Sequence, residues 1–360
     1  MTPVENPPDL PGLPTAAVGG WLQRECPELG RPAGWSAEVI SGGLSNITYR
    51  VQWGSAALIV RRPPLGPVLP RAHDMHREFR VLDALGSTAV PVPETVAFCA
   101  DDTLIGAPFY VMREVPGTVL RTPEDTGALS YRQRADISEQ LVATLADLHA
   151  VDPDSVGLQD FGRKGGYAQR QINTWGKQWQ RSHTRELPAM DVLLQRLSTA
   201  VPPDRDTTIV HGDFRLDNNI ITLDGPPRIA AVLDWELSTL GDPLADLGLM
   251  LTYWHDLGDE ERAGISVAAG LTAWPGFAGT TELADRYAEL TGRSIDDLPF
   301  YLALAAMKLA VILEGVHARH LGGQSVGAGY DSVAQAVPVL VSRGLRLMSG
   351  RTSARGPGSS

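Results

Sequence analysis

Apolar and polar residues alternate in the first third of the chain, and this pattern gives way to a longer period near residue 115. Ile47, Tyr49, Val51 and Trp53 are separated by single polar residues. This period of two is typical of a strand with one buried face. Residues 57–61, after a Gly-Ser turn, are more continuously apolar and predict a second strand.

A helix and two further strands are predicted in the same region. Phe79 and Leu85 fall on one face of a helix predicted over residues 75–85. Strands are predicted over residues 37–40 and 108–115. The front of the chain therefore reads as a small antiparallel sheet with one helix.

Helical spacing dominates the rest of the chain. Helices are predicted over residues 130–149, around Trp175 and Trp179, over 300–317 and over 332–347. A short strand pair, residues 219–223 and 228–233, interrupts them. We expect an α+β fold with no internal repeat.

Composition narrows the class of protein. The chain has 360 residues, is 43% hydrophobic and 20% charged, and carries a net charge of −11. A nucleic-acid-binding face would need a block of Lys or Arg, and none is present. Cys26 and Cys99 are the only cysteines, which disfavours a disulfide framework or a thiolate metal site. We expect no nucleic acid partner.

The cellular location is also an expectation from sequence. No uninterrupted apolar run reaches the ~18 residues of a membrane helix. The first residues, Met-Thr-Pro-Val-Glu-Asn, have neither a basic start nor an apolar stretch of the secretory kind. We therefore expect no membrane association and a cytoplasmic protein.

The chemistry-bearing residues lie around the predicted strand pair. His211-Gly212-Asp213 is followed after four residues by Asn218, and Asp234 comes 16 residues later at a strand end. Phosphoryl transfer needs an acidic group at the attacking hydroxyl and oxygen ligands for magnesium. Asp213, Asn218 and Asp234 supply these groups in that order.

A second magnesium-type motif is present but lies in the wrong place. Residues 160–162 read Asp-Phe-Gly, and they precede the Asp213 loop, whereas the metal-binding strand should follow it. We interpret them as an ordinary turn.

These motifs resemble those of the aminoglycoside phosphotransferase family, which uses the protein-kinase-like fold. The amino-acid sequence of residues 211–218 and 233–243 is similar to that of kinase-like domains related to, or fused with, certain acyl-CoA dehydrogenases. Val60-Arg61-Arg62 and Arg77-Glu78-Phe79 support the match. The resemblance covers about residues 35–345 and implies a two-lobed fold.

The resemblance also implies a role for each site residue. Asp213 would be the catalytic base, His211 would brace its loop, and Asn218 and Asp234 would bind Mg2+. The nucleotide would be bound by Ser41, Gly42, Gly43, Ser45, Asn46, Arg61, Glu78, Met112 and Glu114. Arg61 replaces the lysine that is usual in the family, with Arg62 as the alternative, and Glu78 would pair with it.

The boundaries and function follow as expectations. We expect disorder over 1–18, a nucleotide-binding N-lobe over 19–115, a catalytic C-lobe over 116–348 and a disordered tail over 349–360. The function would be transfer of the γ-phosphate of ATP, with Mg2+, to a hydroxyl of a small molecule. Aminoglycosides, hydroxyacyl-CoA-like compounds and other alcohols are all open as acceptors. A nucleotide-binding regulatory protein without chemistry is the alternative, and the oligomeric state is open.

Overall fold

The chain folds into two compact units. The computed structural model describes residues 6–40, 46–66, 73–265, 267–323 and 330–354. Unit 1 comprises Met1–Gly117 and Ala230–Glu236, and unit 2 comprises Thr118–Ile229 and Leu237–Ser360. The segment that carries Asp234 therefore belongs to unit 1, although it follows much of unit 2 in sequence.

Unit 1 is built on a five-stranded antiparallel sheet with the strand order β1-β2-β3-β5-β4. Its elements are α1 (Thr15–Glu25), β1 (Trp35–Val39), β2 (Ile47–Trp53), β3 (Ala56–Arg62), α2 (Met75–Leu85), β4 (Thr95–Cys99) and β5 (Phe109–Arg113). The alternation in β2 has the expected effect, because Tyr49, Val51 and Trp53 are buried while Arg50 and Gln52 are exposed.

The N-terminal segment differs from expectation. Leu13 and Val18 are fully buried in the same core as the β2 side chains, and the Thr15 amide donates to Asp9 Oδ1 at 2.8 Å. The expected disorder of residues 1–18 therefore does not extend over the start of α1. Proline-rich sequence concealed this helix, because Pro14 precedes its first residue instead of interrupting it.

Unit 2 is mainly helical. Its elements are α3 (Pro123–Gly127), α4 (Tyr131–Ala150), α5 (Tyr167–Ser182), α6 (Pro188–Thr199), β6 (Thr208–Val210), β7 (Asn219–Thr222), β8 (Arg228–Val232, whose last residues belong to unit 1), β9 (Thr239–Gly241), α7 (Pro243–Tyr253), α8 (Glu260–Ala263), α9 (Thr280–Thr291), α10 (Leu298–Leu321) and α11 (Tyr330–Ala354). β6 pairs with β9 and β7 with β8. α11 continues past residue 348, where a disordered tail was expected.

Helix α10 lies at the centre of unit 2 and packs against α5, α7 and α11. Among the described helices it is the one that is long and apolar enough to cross a bilayer, but 72% of its most apolar stretch is buried inside the protein. Core helices of this length share that property, so it is weak evidence for a membrane segment.

The Asp-Phe-Gly sequence at residues 160–162 forms a turn, as predicted. Phe161 is buried. A Cβ atom on Gly162 would lie 2.5 Å from Thr239 Oγ1 and 2.6 Å from the Leu240 amide nitrogen. This glycine is therefore required by close packing against β9, a structural role.

Candidate active site

The loop that carries Asp213 follows β6 and is fastened by a buried carboxylate from α7. Asp246 accepts hydrogen bonds from the backbone amides of His211, at 2.5 Å, and Gly212, at 2.8 Å. Asp246 is only 1% exposed. An ionised acceptor that binds two buried amides is a strong anchor, because removing it would leave those donors unsatisfied.

Asp246 has a second support on its other side. His149 Nε2 lies 3.5 Å from Asp246 Oδ2, and His149 Nδ1 lies 2.7 Å from the Tyr287 hydroxyl. Burial by itself would raise the pKa of Asp246. The hydrogen bonds from His149 and the Gly212 amide, together with the charges of His149 and His211, outweigh burial and hold the pKa below its usual value.

The glycine of the motif is required by the path of the loop. Gly212 has φ of +83°, a conformation that is strained for residues with a Cβ atom. An added Cβ would also lie 2.6 Å from the Leu237 carbonyl oxygen. His211 is fully buried, and its Nδ1 accepts the Asp213 amide at 3.2 Å, which is the bracing position expected from the sequence.

The Asp213 carboxylate is oriented by two side chains of unit 2. Asn218 Nδ2 donates to Asp213 Oδ2 at 3.1 Å and to the Asp213 carbonyl at 2.9 Å. Arg215 Nε lies 3.2 Å from Asp213 Oδ2. Burial and the nearby charge of Asp213 raise the pKa of the Tyr253 hydroxyl. The side chain of Asp213 is 20% exposed, so a substrate hydroxyl can reach it.

The two adjacent asparagines, Asn218 and Asn219, have different hydrogen-bond partners. Because the Asn218 amide nitrogen is bound to Asp213, its Oδ1 is left without a hydrogen bond among the described residues, as a metal ligand requires. Asn219 is fully buried, and its amide donates to the Arg215 carbonyl at 2.7 Å. Asn219 therefore stabilises the turn.

In unit 1, three segments far apart in sequence meet at Arg61. Arg61 grips Glu78 with two contacts, Nη2 to Oε1 at 3.0 Å and Nε to Oε2 at 3.2 Å. Arg61 Nη2 also contacts Asp234 Oδ1 at 2.8 Å. The predicted pairing of Glu78 with Arg61 is thus present, and the contact with Asp234 was not foreseen.

Glu78 is nearly inaccessible to solvent, so burial destabilises the ionised form of its carboxylate. Burial raises the pKa of Glu78 to about 7; the carboxylates of Asp234 and Glu236 act in the same direction and Arg61 opposes them. Burial and the nearby charge of Glu78 raise the pKa of the Tyr110 hydroxyl well above its usual value. This cluster fixes the position of the Arg61 guanidinium.

Hydrogen bonds of the neighbouring residues fix the backbone on either side of Asp234. The Val232 amide donates to the Pro91 carbonyl at 2.8 Å, and Trp235 Nε1 donates to the Val232 carbonyl at 2.9 Å. Between them Asp234 adopts φ of +66°, which is uncommon for a residue other than glycine. Backbone strain of this kind is concentrated at functional sites.

Arg62 has a different environment from Arg61. It is 4% exposed, and its guanidinium donates to the carbonyls of Pro63, Gly12 and Ile105 at 3.1, 2.7 and 2.9 Å. It fastens the N-terminal segment and has no carboxylate partner within 4.0 Å among the described residues. Of the two arginines, Arg61 is therefore the one whose surroundings suit phosphate binding.

The other predicted nucleotide-binding residues are only partly described. Ser41, Gly42, Gly43 and Ser45 lie outside the described residues. Asn46 is buried, with Nδ2 donating to Glu236 at 3.3 Å and Oδ1 at 2.8 Å from His73 Nδ1. Its side chain stabilises unit 1 in this arrangement.

The predicted adenine-contacting segment, residues 112–115, begins within β5 and continues beyond its end. Met112 is a buried residue of that strand. The Glu114 amide donates to the Ala57 carbonyl at 2.9 Å, and its carboxylate pairs with Arg50 at 2.7 Å. The Glu114 carbonyl and the Val115 amide have no hydrogen-bond partner among the described residues, so they are the groups left for a base edge.

The donor set suits Mg2+ better than a softer metal. The described residues contain no group of three or more His, Cys, Asp or Glu side chains that could hold a metal ion. Magnesium is commonly bound through one or two protein oxygens, with waters and phosphate oxygens completing its shell. The Asp234 carboxylate of unit 1 and the free Asn218 oxygen of unit 2 are each a donor of this kind.

Trp175, Trp179 and Tyr253 of unit 2 have different surroundings in the structure. Trp175 lines a small cavity, with a volume of about 20 Å³, next to Gly212 and together with Lys308 of α10. Trp179 is buried and stacks on His183. The ring of Tyr253 lies 5.0 Å beneath the Arg215 guanidinium. Lys308 was missed from the sequence, although a lone lysine in the apolar part of α10 was a usable signal.

Comparisons with known proteins show which proteins this chain is similar to. The pattern of the family described as "phosphotransferase enzyme family" matches residues 36–280. Acyl-CoA dehydrogenase family member 11 of Gallus gallus is 39% identical over 346 residues, which is 94% of this chain but 42% of that protein. The chain thus spans less than half the length of this relative.

Solved structures show the same fold. A Ralstonia eutropha protein described as a "putative aminoglycoside phosphotransferase" is 34% identical, with a TM-score of 0.80 over 93% of this chain and 98% of that one. The GDP complex of aminoglycoside 2'-phosphotransferase-IIIa gives a TM-score of 0.55 at 16% identity, over 95% and 99% of the two chains. The expected α+β, kinase-like fold is confirmed. With its Asp213 loop, its Arg61–Glu78 pair and a family match over two thirds of its length, this chain belongs to the phosphotransferase enzyme family.

Proposed function

We propose that the protein transfers the γ-phosphate of ATP to a hydroxyl group of a small molecule, with Mg2+, and that Asp213 is the catalytic base. The observation that carries the proposal is the Asp213 carboxylate, which is partly exposed and oriented by Asn218 and Arg215. Such preorganisation is what positioning of a nucleophile requires.

The proposed reaction is a single displacement. The acceptor hydroxyl donates a hydrogen bond to Asp213, and its oxygen attacks the γ-phosphorus. The new O–P bond forms as the bond between the γ-phosphorus and the β,γ-bridging oxygen breaks, the proton passes to Asp213, and ADP leaves. Asp213 thereby stabilises the hydroxyl as its oxygen loses electron density.

Mg2+ and Arg61 would neutralise the negative charge of the nucleotide phosphates. Asn218 and Asp234 would hold Mg2+, which when bound neutralises charge on the nucleotide phosphates. Arg61 offers a planar guanidinium that can bind two phosphate oxygens in parallel, a geometry that an ammonium lacks. Nucleotide binding would require Arg61 to exchange its contact with Asp234 for phosphate.

The acceptor is open among three classes. Related phosphotransferases act on small molecules, and aminoglycosides, hydroxyacyl thioesters and other alcohols are all candidates. The likeness to an acyl-CoA dehydrogenase family member favours a hydroxyacyl compound. A cytoplasmic location, with neither nucleic acid nor membrane as partner, is part of the same proposal.

One observation favours a second candidate, a nucleotide-binding regulatory protein without turnover. Arg61 lies at the position where the family usually has lysine, and its guanidinium contacts one carboxylate oxygen of Asp234. If that pair does not open, ATP could bind without the metal that transfer requires.

Magnesium-dependent ATP consumption with a panel of hydroxyl compounds separates the two candidates. We expect consumption that depends on acceptor and on Mg2+, and that is lost in Asp213→Asn. Binding of ATP without turnover for any acceptor, with Asp213→Asn behaving as the wild type, would favour the regulatory protein. A parallel assay with GTP tests the choice of nucleotide, because the neighbour at 16% identity is a GDP complex.

A further inference from the structure

A lysine lies in the cavity next to the Asp213 loop, within an otherwise apolar part of helix α10. Lys308 is the only charged residue between positions 298 and 313. It lines a small cavity, with a volume of about 20 Å³, together with Trp175 and Gly212. A space of this size admits a group about as large as one water molecule, such as one oxygen of an anionic group.

Two contacts fix the ammonium group. Lys308 Nζ donates to the Gly212 carbonyl at 2.5 Å, and it lies 5.5 Å from the centre of the Trp175 ring. The indole is itself held, because Trp175 Nε1 donates to Gln171 Oε1 at 2.9 Å. The cation is therefore positioned one residue away from the proposed base.

The charge of Lys308 has no direct counter-ion in the part of the chain that the structure describes. No carboxylate oxygen there lies within 4.0 Å of its Nζ. Asp213 and Asp246 attract it from farther away. Both carboxylates already have nearer donors, Asn218 and Arg215 for Asp213 and two backbone amides for Asp246.

An ammonium group has three hydrogens, and one carbonyl uses one of them. The remaining donors, next to an aromatic wall in a small cavity, match an oxyanion of a ligand. A ligand ammonium at the same place would meet like charge in partly buried surroundings, which is unfavourable.

We propose that Lys308 is a specificity-determining residue that binds an anionic group of the acceptor, a carboxylate or a phosphate, and that the cavity excludes acceptors with an ammonium group at that position. This inference rests on the proposed function for its meaning, because the anion would belong to the molecule whose hydroxyl meets Asp213. A charge-assisted hydrogen bond of this kind corresponds to about 10- to 100-fold in affinity.

The competing explanation is that Lys308 only supports the loop through the Gly212 carbonyl. The two explanations predict different effects of removing Lys308 on the affinity for a neutral ligand. A support would affect anionic and neutral ligands of the same shape equally, whereas an anion site would affect only the anionic one.

The test is calorimetric binding without nucleotide, so that it does not depend on turnover. The probes are 3-hydroxybutyrate with 3-hydroxybutyramide, glycerol 3-phosphate with glycerol, and kanamycin as the cationic compound. The proteins are the wild type, Lys308→Met, Lys308→Arg and, as a control, Lys177→Met, an exposed lysine on the same helix as Trp175. Thermal unfolding of each variant checks that it folds.

We expect the wild type and Lys177→Met to bind one anion at least 10-fold more tightly than its neutral partner. Lys308→Met should abolish that ratio without weakening the neutral compound, and Lys308→Arg should keep part of it. The pair that shows the effect identifies carboxylate or phosphate. The proposal is overturned if no anion exceeds its neutral partner, if Lys308→Met weakens both members equally, or if kanamycin alone binds. Absence of ATP turnover with intact anion preference would instead refute the proposed function.

Discussion

The Asp213 loop of unit 2 and the Arg61 cluster of unit 1 are built in different ways. In unit 2, Asp213 and Asn218 lie in one loop, whose backbone amides donate to Asp246, 35 positions from His211. In unit 1, Arg61, Glu78 and Asp234 meet only through side chains, and Asp234 is 173 positions from Arg61. The first depends on backbone contacts of one loop, and the second depends on contacts between side chains.

This difference indicates a division of tasks. In unit 2, a buried carboxylate binds the backbone amides of the loop that carries Asp213. These bonds fix the position of the Asp213 carboxylate, as proton transfer requires. A long arginine with two carboxylate partners can exchange one of them for phosphate. Damage to the unit 2 loop should therefore impair chemistry and folding, and damage to the unit 1 cluster should impair nucleotide binding.

The largest effect is expected from Asp213→Asn. The amide can still contact its neighbours but cannot accept the proton, so turnover should fall by about 10²- to 10⁴-fold. Nucleotide affinity, measured by calorimetry, should be unchanged. Asp224→Asn, in an exposed turn of the same unit, is the control and should behave as the wild type.

Asp246→Asn should come next, and should lower stability. Its side chain can no longer accept both loop amides as an anion, and His149 loses its charged partner. We expect the free energy of unfolding to fall by about 2–4 kcal/mol in urea titrations. A change below 0.5 kcal/mol would show that the loop does not depend on this carboxylate.

The same contrast explains how much could be predicted from sequence. The spacing of Asp213 and Asn218 is visible because both lie in one loop, and helix α2 begins and ends at the predicted residues because its apolar face is regular. The Arg61–Asp234 contact joins residues 173 positions apart, and no local pattern encodes it.

Other omissions have their own physical causes. Strand β4, whose four residues Thr95–Phe98 are only partly buried, lacks the alternation that revealed β2. Helix α10 was predicted, but from its composition alone Lys308 could not be assigned to a cavity. Its neighbours there, Trp175 and Gly212, come from other parts of the chain.

A pH effect distinguishes the unit 1 cluster. The pKa of Glu78 is raised in the folded protein to about 7 from an ordinary value of 4.5, so the folded state binds more protons between these values. Stability should fall as pH rises from about 4.5 to 7, by at most about 3 kcal/mol for this group. Chemical denaturation across this range should show a shallower slope for Glu78→Gln, and an unchanged slope would contradict the raised pKa.

The smallest expected effect is from Arg61→Lys. Lysine keeps the charge but cannot hold Glu78 by two contacts, and we expect about a 10-fold change in ATP affinity with little loss of stability. Arg62→Lys should do the opposite, because it breaks the carbonyl contacts that fasten the N-terminal segment. Equal effects on ATP binding from both variants would mean that Arg61 has no special role.

The central claim is that Asp213, Asn218 and Asp234 together support magnesium-dependent phosphoryl transfer. Phosphorus NMR of the protein with ATP and the acceptor panel tests it directly. The account predicts a new phosphomonoester signal that requires Mg2+ and is lost in both Asp213→Asn and Asp234→Asn. A phosphomonoester that still forms at the wild-type rate in either variant, or ATP that binds and is never consumed, would contradict it.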